Sequence, residues 1–486
     1  MIMDFSLKVG FGASPLTGPL TLDDSVEQIR SEKSQVGIKT ARSSVEAWPQ
    51  HLTFNLQQRV QAARDFRTQE EEIYEQKNLS GSERRSKREV LKRHANIWHY
   101  DQLRLIHQAI YGDDPVRQRF MQFWWNHFTV GDTNGSNFYT GDLYWNVIGG
   151  GISGSFNELV YAVTRHPAML TYLDNIYSVG EKSPKALNAK KNPQKKLHVG
   201  LNDNLARELL ELHTVSPRCG YTEDDIRNAA KILAGWGWIF DHPNSEKMFK
   251  NAGVSDLHDA YFKDMAEPGQ KSVLGVKYKS GRSDLKSLTG NLAQSEFTRE
   301  FISFKLCQHF ISDRPNQDDV AYVTAQWKSS KGHLPTVHRA VIERASKSKT
   351  QKFNWPITWF LTVLRVSGAN LIEGWSDLWG PDLHQGEQRA HTLFTEIGQD
   401  FWSRRQPNGF SSMGIDWASP EHMERRMRLA SMIFKHGKPK LSASDIIQRS
   451  NASNQTRELL EKIASPEGKF VAALCSHEVM GKIENV

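Results

Sequence analysis

The sequence predicts a mainly α, multi-helical globular protein with a small extended or β-containing connector near residues 240–290. Three observations predict it. Apolar residues recur at helical spacing through most of the 486 residues. Ser, Thr, Asp, Asn or Pro stands where these segments begin, as a helix cap or first-turn residue should. Strand-like patterning is confined to about 270–280. The apolar fraction of 38% and mean hydropathy of −0.57 fit a polar globular chain. Its 14 Trp need a core or an interface to sit in.

Taken in order, Leu22 to Glu32 reads as the first helix, with Thr21 as cap and Asp23 and Asp24 in its first turn. Leu52 to Gln76 and Ser82 to Ile110 are long, charged and periodic, as outer helices with one apolar stripe are. Asp114-Pro115 opens a helix that runs through Trp124-Trp125 to about Phe128. Gly149-Gly150-Gly151 reads as a flexible turn. Ser155 to Thr164, Pro167 to Leu173 and Asn202 to Thr214 follow as helices. Thr222 to Trp236 is another, with Asp225 completing a capping-box variant. Gly, Asp and Ser rise over about 237–290, where Val273 to Tyr278 looks like a short strand pair. Helical patterning resumes at Thr298 to Phe310, Asp318 to Trp327, Pro335 to Ala345, Pro356 to Val366, Pro420 to Phe434, Ser444 to Arg449 and Asn454 to Ile463. The length suits one domain over 1–486 built from lobes 1–240 and 291–486, with 241–290 as connector.

Net charge is +7, mild for this length, and no basic stripe of the kind that binds nucleic acid stands out. Lys182, Lys185, Lys190, Lys191, Lys195 and Lys196 cluster in a Pro-, Asn- and Ser-containing stretch that reads as a mobile solvated loop or as an anion or partner contact. Cys219, Cys307 and Cys475 are far apart, with no disulfide framework or zinc spacing. No membrane span and no secretory leader is legible, so the cytoplasm is the expected location.

Two stretches carry most of the chemistry: Phe123 to Phe128, and Asn202 to Thr214. Each sets ionisable or amide groups among large apolar ones. Burying such groups unpaired is unfavourable by roughly 2–7 kcal/mol, so they must pair or hold a ligand. At about 100° per residue, Asn204, Arg207, Glu208 and Glu211 share one helical sector, beside Leu205, Leu209 and Leu212. Two readings stand. Arg207 and Glu211 form an ordinary intrahelical pair while Asn204 and Glu208 clamp loops. Alternatively, His127, Glu208 and Glu211 act as acid and base, or bind a divalent metal with His213. His127 can equally bond the carbonyls of its own helix end, and Asn126 can meet the Glu208 helix. His166, before Pro167, suits a helix N-cap, and Asp174-Asn175 a turn; both join the candidate network.

Phe123-Trp124-Trp125-Asn126-His127-Phe128, His166-Pro167-Ala168-Met169-Leu170 and Tyr172-Leu173-Asp174-Asn175 resemble a bacterial family, domain of unknown function 1800. Arg207 to His213, Gly220-Tyr221-Thr222 and Ala234-Gly235-Trp236 continue the likeness. It runs from Gly10-Phe11-Gly12-Ala13 to Leu474-Cys475-Ser476-His477-Glu478. The resemblance implies a mostly helical fold. It also implies a partner, because genes of the family often adjoin those of domain of unknown function 1501, which resembles the alkaline phosphatase and sulfatase superfamily. The chain departs from the pattern at Ala266, where the family commonly has His before Glu267-Pro268-Gly269. If that His ligates a metal in relatives, its loss weakens a metal site here.

Two functions compete. One is an enzyme with a His and carboxylate centre, a metal-assisted hydrolase or oxidoreductase. The other is a non-catalytic binding or scaffold subunit whose exposed Trp residues dock the partner.

Overall fold

Side-chain capping sets the helix boundaries. The side chains of Asn55, Ser155, Thr222 and Ser442 each accept the backbone N–H three residues on, and the residue there returns the bond. Thr21 and Asp24 do the same ahead of Leu22–Arg30. Pro occupies the first turn of Pro115–His127, Pro167–Tyr172, Pro356–Ser367, Pro420–His436 and Pro466–Leu474, where its missing N–H leaves nothing unpaired. The computed structural model describes residues 5–15, 18–30, 48–94, 97–133, 135–191, 194, 199–348, 351–369 and 393–484.

The architecture is mainly α. Among the described residues, the one sheet is a hairpin of Lys271–Val273 and Val276–Tyr278, with Val273 opposite Val276. Its two-residue turn puts Leu274 at φ 49° and Gly275 at φ 77°, the left-handed pair such hairpins require. The hairpin packs on helix Glu223–Leu233, where Leu274 N–H donates to Asp225 at 2.6 Å. No described helix is long and apolar enough to cross a membrane.

Several expectations change. Ser82 to Ile110 is two helices, Gly81–His94 and Ile97–Tyr111; residues 95–96 lie outside the described set. Gly149 to Gly151 is not a turn. It is helical and continues Asn137–Asp142 through a π-helical segment, Leu143–Ile148. At about 100° per residue the apolar residues of Asn137 to Gly151 fall on every side, so the segment shows no one-sided helical stripe. The Lys-rich stretch is not all loop either. Pro184–Lys191 is a helix whose Ala186 and Ala189 are buried, with the Lys185 ammonium 3.9 Å from the Trp238 ring centre. Lys195 and Lys196 lie outside the described residues. Ser6–Val9, Ser245–Asn251, Ser283–Gln294, Pro466–Leu474 and His477–Met480 are further helices that had no forecast.

The core joins distant parts of the sequence. Phe120 stacks on Phe310 and on His338 at 4.3 and 4.2 Å, and Trp124 Nε1–H donates to His338 Nε2 at 2.9 Å. Helix Pro356–Ser367 is buried along its whole length. Residues Ser6 to Ser14 are also buried. Arg365 donates to Gly12 O at 2.8 Å, Arg449 donates to Ser14 O at 3.0 Å, and Lys8 donates to Ser348 O. Every described Trp is buried or half-buried, which leaves no described indole exposed as a docking anchor.

Candidate functional site

Helix Pro115–His127 delivers His127 beside the end of Asn204–Glu211. Its Nε2–H donates to the carbonyl of His213 at 3.1 Å, and its Nδ1 accepts from Lys305 Nζ at 3.1 Å. The two imidazoles lie 6.2 Å apart, and both are buried. Burial first, then the Lys305 charge, holds both rings neutral; His213 falls to about 3. Burial likewise pushes the half-buried Lys305 ammonium down to about 8, and among the described residues no carboxylate pairs with it.

The other expected site residues divide. Asn126 clamps the 407–410 loop, donating to Phe410 O at 3.0 Å and accepting Phe410 N–H at 2.7 Å. Asn175 donates to the carbonyls of Leu233 and Trp236. Asp174, at φ 58°, heads the turn Asn175–Tyr177. Asn204 is exposed, its N–H held by Asn202. Arg207 does not pair with Glu211. It forks onto Glu223 at 3.0 and 2.9 Å and reaches Asp203 at 3.3 Å. Glu211 instead accepts the Tyr221 hydroxyl at 3.0 Å. Glu208 is half-buried, and burial, then Glu211, raises its pKa against the pull of Arg207.

His166 lies in a cluster that the sequence did not outline. It caps Pro167–Tyr172, its Nδ1 accepting the Ala168 N–H at 3.1 Å. Nδ1 is therefore bare, and in the neutral ring the proton sits on Nε2. That nitrogen faces Asp142 Oδ2 at 3.0 Å. His258 Nε2 meets the same oxygen at 2.8 Å, and Asn146 donates to Oδ1 at 2.6 Å. Asp142 ends helix Asn137–Asp142 where the π-helical segment begins, so Asn146 lies one turn on. π segments are rare and concentrate at functional sites.

Exposure is graded across the cluster. The side chains of His166 and Asp142 are 0% and 2% exposed, that of His258 37%. Burial alone would push the Asp142 carboxyl upward. The hydrogen bonds from both imidazoles outweigh it and hold the group well below the usual carboxylate range. Burial keeps His166 neutral, whereas the bond to Asp142 raises His258. The other ring nitrogen of His258, Nδ1, lies 3.4 Å from Asp256 Oδ1.

The three donor atoms lie within 4.8 Å of one another, a separation one metal ion could bridge. The Ala168 N–H argues against that arrangement. Ligation through Nε2 of His166 would move the ring proton to Nδ1, opposing the amide hydrogen already there.

A second buried pair abuts this cluster. Arg59 forks onto Asp101 with two bonds of 2.8 Å and donates to Phe138 O at 3.3 Å. Asp101 fills the space beside Gly141; a Cβ there would lie 2.0 Å from its carboxylate.

Asp142 and His258 are 116 residues apart. Asp142 sits in a segment without periodicity and His258 in the loop-rich connector, so neither announced itself. The only usable signal was His166, whose capping role hid its second bond.

A sequence model described as "Protein of unknown function (DUF1800)" matches residues 6–476, so the chain belongs to that family. No curated protein and no solved structure matches it.

Proposed function

We propose that this member of the family is an enzyme that uses His258 as a general acid–base group, most simply for hydrolysis by an activated water. The observation that carries the reading is the shared Asp142 oxygen, which takes one imidazole that is sealed and one that reaches solvent. A buried carboxylate behind an accessible imidazole fixes the ring's orientation and stabilises its protonated form. His166 is the positioning group. It donates to Asp142 and, staying neutral, adds no competing charge. In the reaction, Nδ1 of neutral His258 takes a proton from water as oxygen attacks the substrate. The imidazolium then returns it to the leaving group.

His258→Gln tests this. Any activity found on a panel of ester, amide and phosphoester substrates should fall about 10²–10⁴-fold, with melting unchanged. NMR titration should place the His258 pKa above its ordinary value in the native chain and return it there in Asp142→Asn. Activity untouched by His258→Gln sinks the proposal. So does stoichiometric zinc or iron lost with that substitution, which would make the cluster a metal site.

A second reading keeps the centre expected from the sequence, with His127, Glu208, Glu211 and His213 as acid–base or metal-binding groups. The raised pKa of Glu208 beside Glu211 favours it. Glu208→Gln should then lower activity or metal content while melting stays near wild type; unchanged activity and metal content reject it.

A further inference from the structure

The four helices Pro420–His436, Ala443–Arg449, Asn454–Lys462 and Pro466–Leu474 leave an open groove between them, of about 620 Å³. That size is typical of small-molecule sites. Its apolar walls include Phe434, Ile447, Leu460 and Phe470. None of the residues of the acid–base cluster lines it.

Its charge is one-sided. Lys440, Arg457 and Lys469 line the groove against a single acid, Glu461. Two neighbouring cations do have partners: Lys435 pairs with Glu467 at 2.9 Å, and Arg428 with Glu396. None of the three groove cations has a carboxylate partner among the described residues. Arg457 spends only Nε on its own chain, donating to Ala452 O at 3.1 Å. Lys469 and Arg457 are half-buried, their stems along the apolar wall.

We propose that this groove binds a single-chain anionic amphiphile, a fatty-acid-like carboxylate, with its chain on the apolar wall and its head among the three cations. An apolar trough alone would accept any hydrophobe. Three cations at its edge with no carboxylate partner among the described residues select for a negative head and against a positive one. The guanidinium of Arg457 suits a carboxylate because it can donate two parallel bonds.

Isothermal titration of the full chain with dodecanoate, dodecanol and dodecyltrimethylammonium, each below its micelle concentration, tests this. Dodecanoate should bind at one site, at least tenfold tighter than dodecanol, and the cationic analogue should not bind there. Lys440→Glu with Lys469→Met should weaken dodecanoate at least tenfold and leave dodecanol unchanged. Ile447→Trp, which fills the groove, should abolish both. Melting curves of the variants establish that they fold. Equal binding of all three amphiphiles overturns the proposal, as does dodecanoate binding that survives Ile447→Trp. An acidic peptide that binds where dodecanoate does not would also overturn it and assign the groove to a protein partner.

Discussion

Acidification from pH 7 to pH 5 should remove most of the stability of this protein. Four buried imidazoles, His127, His213, His309 and His338, have pKa values lowered far below the ordinary value by burial. In the unfolded chain each takes up a proton below about pH 6.5, whereas in the folded chain each stays neutral. The unfolded state therefore binds more protons, and stability declines as pH falls below about 6.5. For His213 the decline continues until about pH 3. One such group contributes a slope of about 1.4 kcal/mol per pH unit, so four reach about 6. By pH 5 the loss is about 8 kcal/mol, of which Asp114, whose carboxyl burial pushes up to about 6, returns about 1; the remainder is comparable to the whole stability of an ordinary domain. His258 does not offset this. Its pKa is raised, so its contribution is already complete below the unfolded value and fades only as pH climbs through the folded one. Asp142, whose pKa is depressed, loses its contribution only at pH values below about 4. Urea midpoints at pH 7, 6 and 5 measure the effect; a midpoint that does not move would mean that the rings are hydrated or paired.

Replacing Arg59 by Met should destabilise the fold by about 3–5 kcal/mol, because it strands a buried carboxylate. The side chains of Arg59 and Asp101 are 2% and 3% exposed, and both guanidinium ends are engaged. The double change Arg59→Met with Asp101→Leu should recover most of that loss, since two apolar groups leave no orphan charge. Chemical denaturation of the single and double variants decides it. If the two unfold at the same denaturant concentration, the pair contributes packing rather than charge compensation.

Local signals in the sequence carried the helices, and long-range ones were lost. Thr222 with Asp225, and Thr21 with Asp24, cap as their spacing predicts, because a capping box is complete within four residues. In Asn204–Glu211 the forecast apolar sector holds for Leu205 and Leu209, both buried. Leu210 was placed on the far side and is buried too, because this helix is covered on more than one face. Arg207 could be read as a neighbour of Glu211 from spacing. Its true partner, Glu223, comes from the next helix and is set by how the two helices pack. Asn126 was legible as a buried polar group and Asn175 as part of a turn, yet their partners at Phe410, Leu233 and Trp236 were not. The Asp142 cluster failed most fully. It draws one member each from a helix end, a helix cap and a connector, and no periodicity links those three.

The anchoring of residues Ser6 to Ser14 has a consequence for biosynthesis. Gly12 and Ser14 are held by Arg365 and Arg449, and Ser14 precedes Arg449 by 435 residues. At ribosomal speeds of about 5–20 residues per second, the opening segment waits roughly 20–90 s for that partner to be synthesised. Throughout that interval Val9 and Phe11, which end up fully buried, have no finished core to enter. The nascent chain therefore exposes an apolar tether until late in translation. Closing that seam has to wait until Arg449 has been made, after most of the helices of the fold.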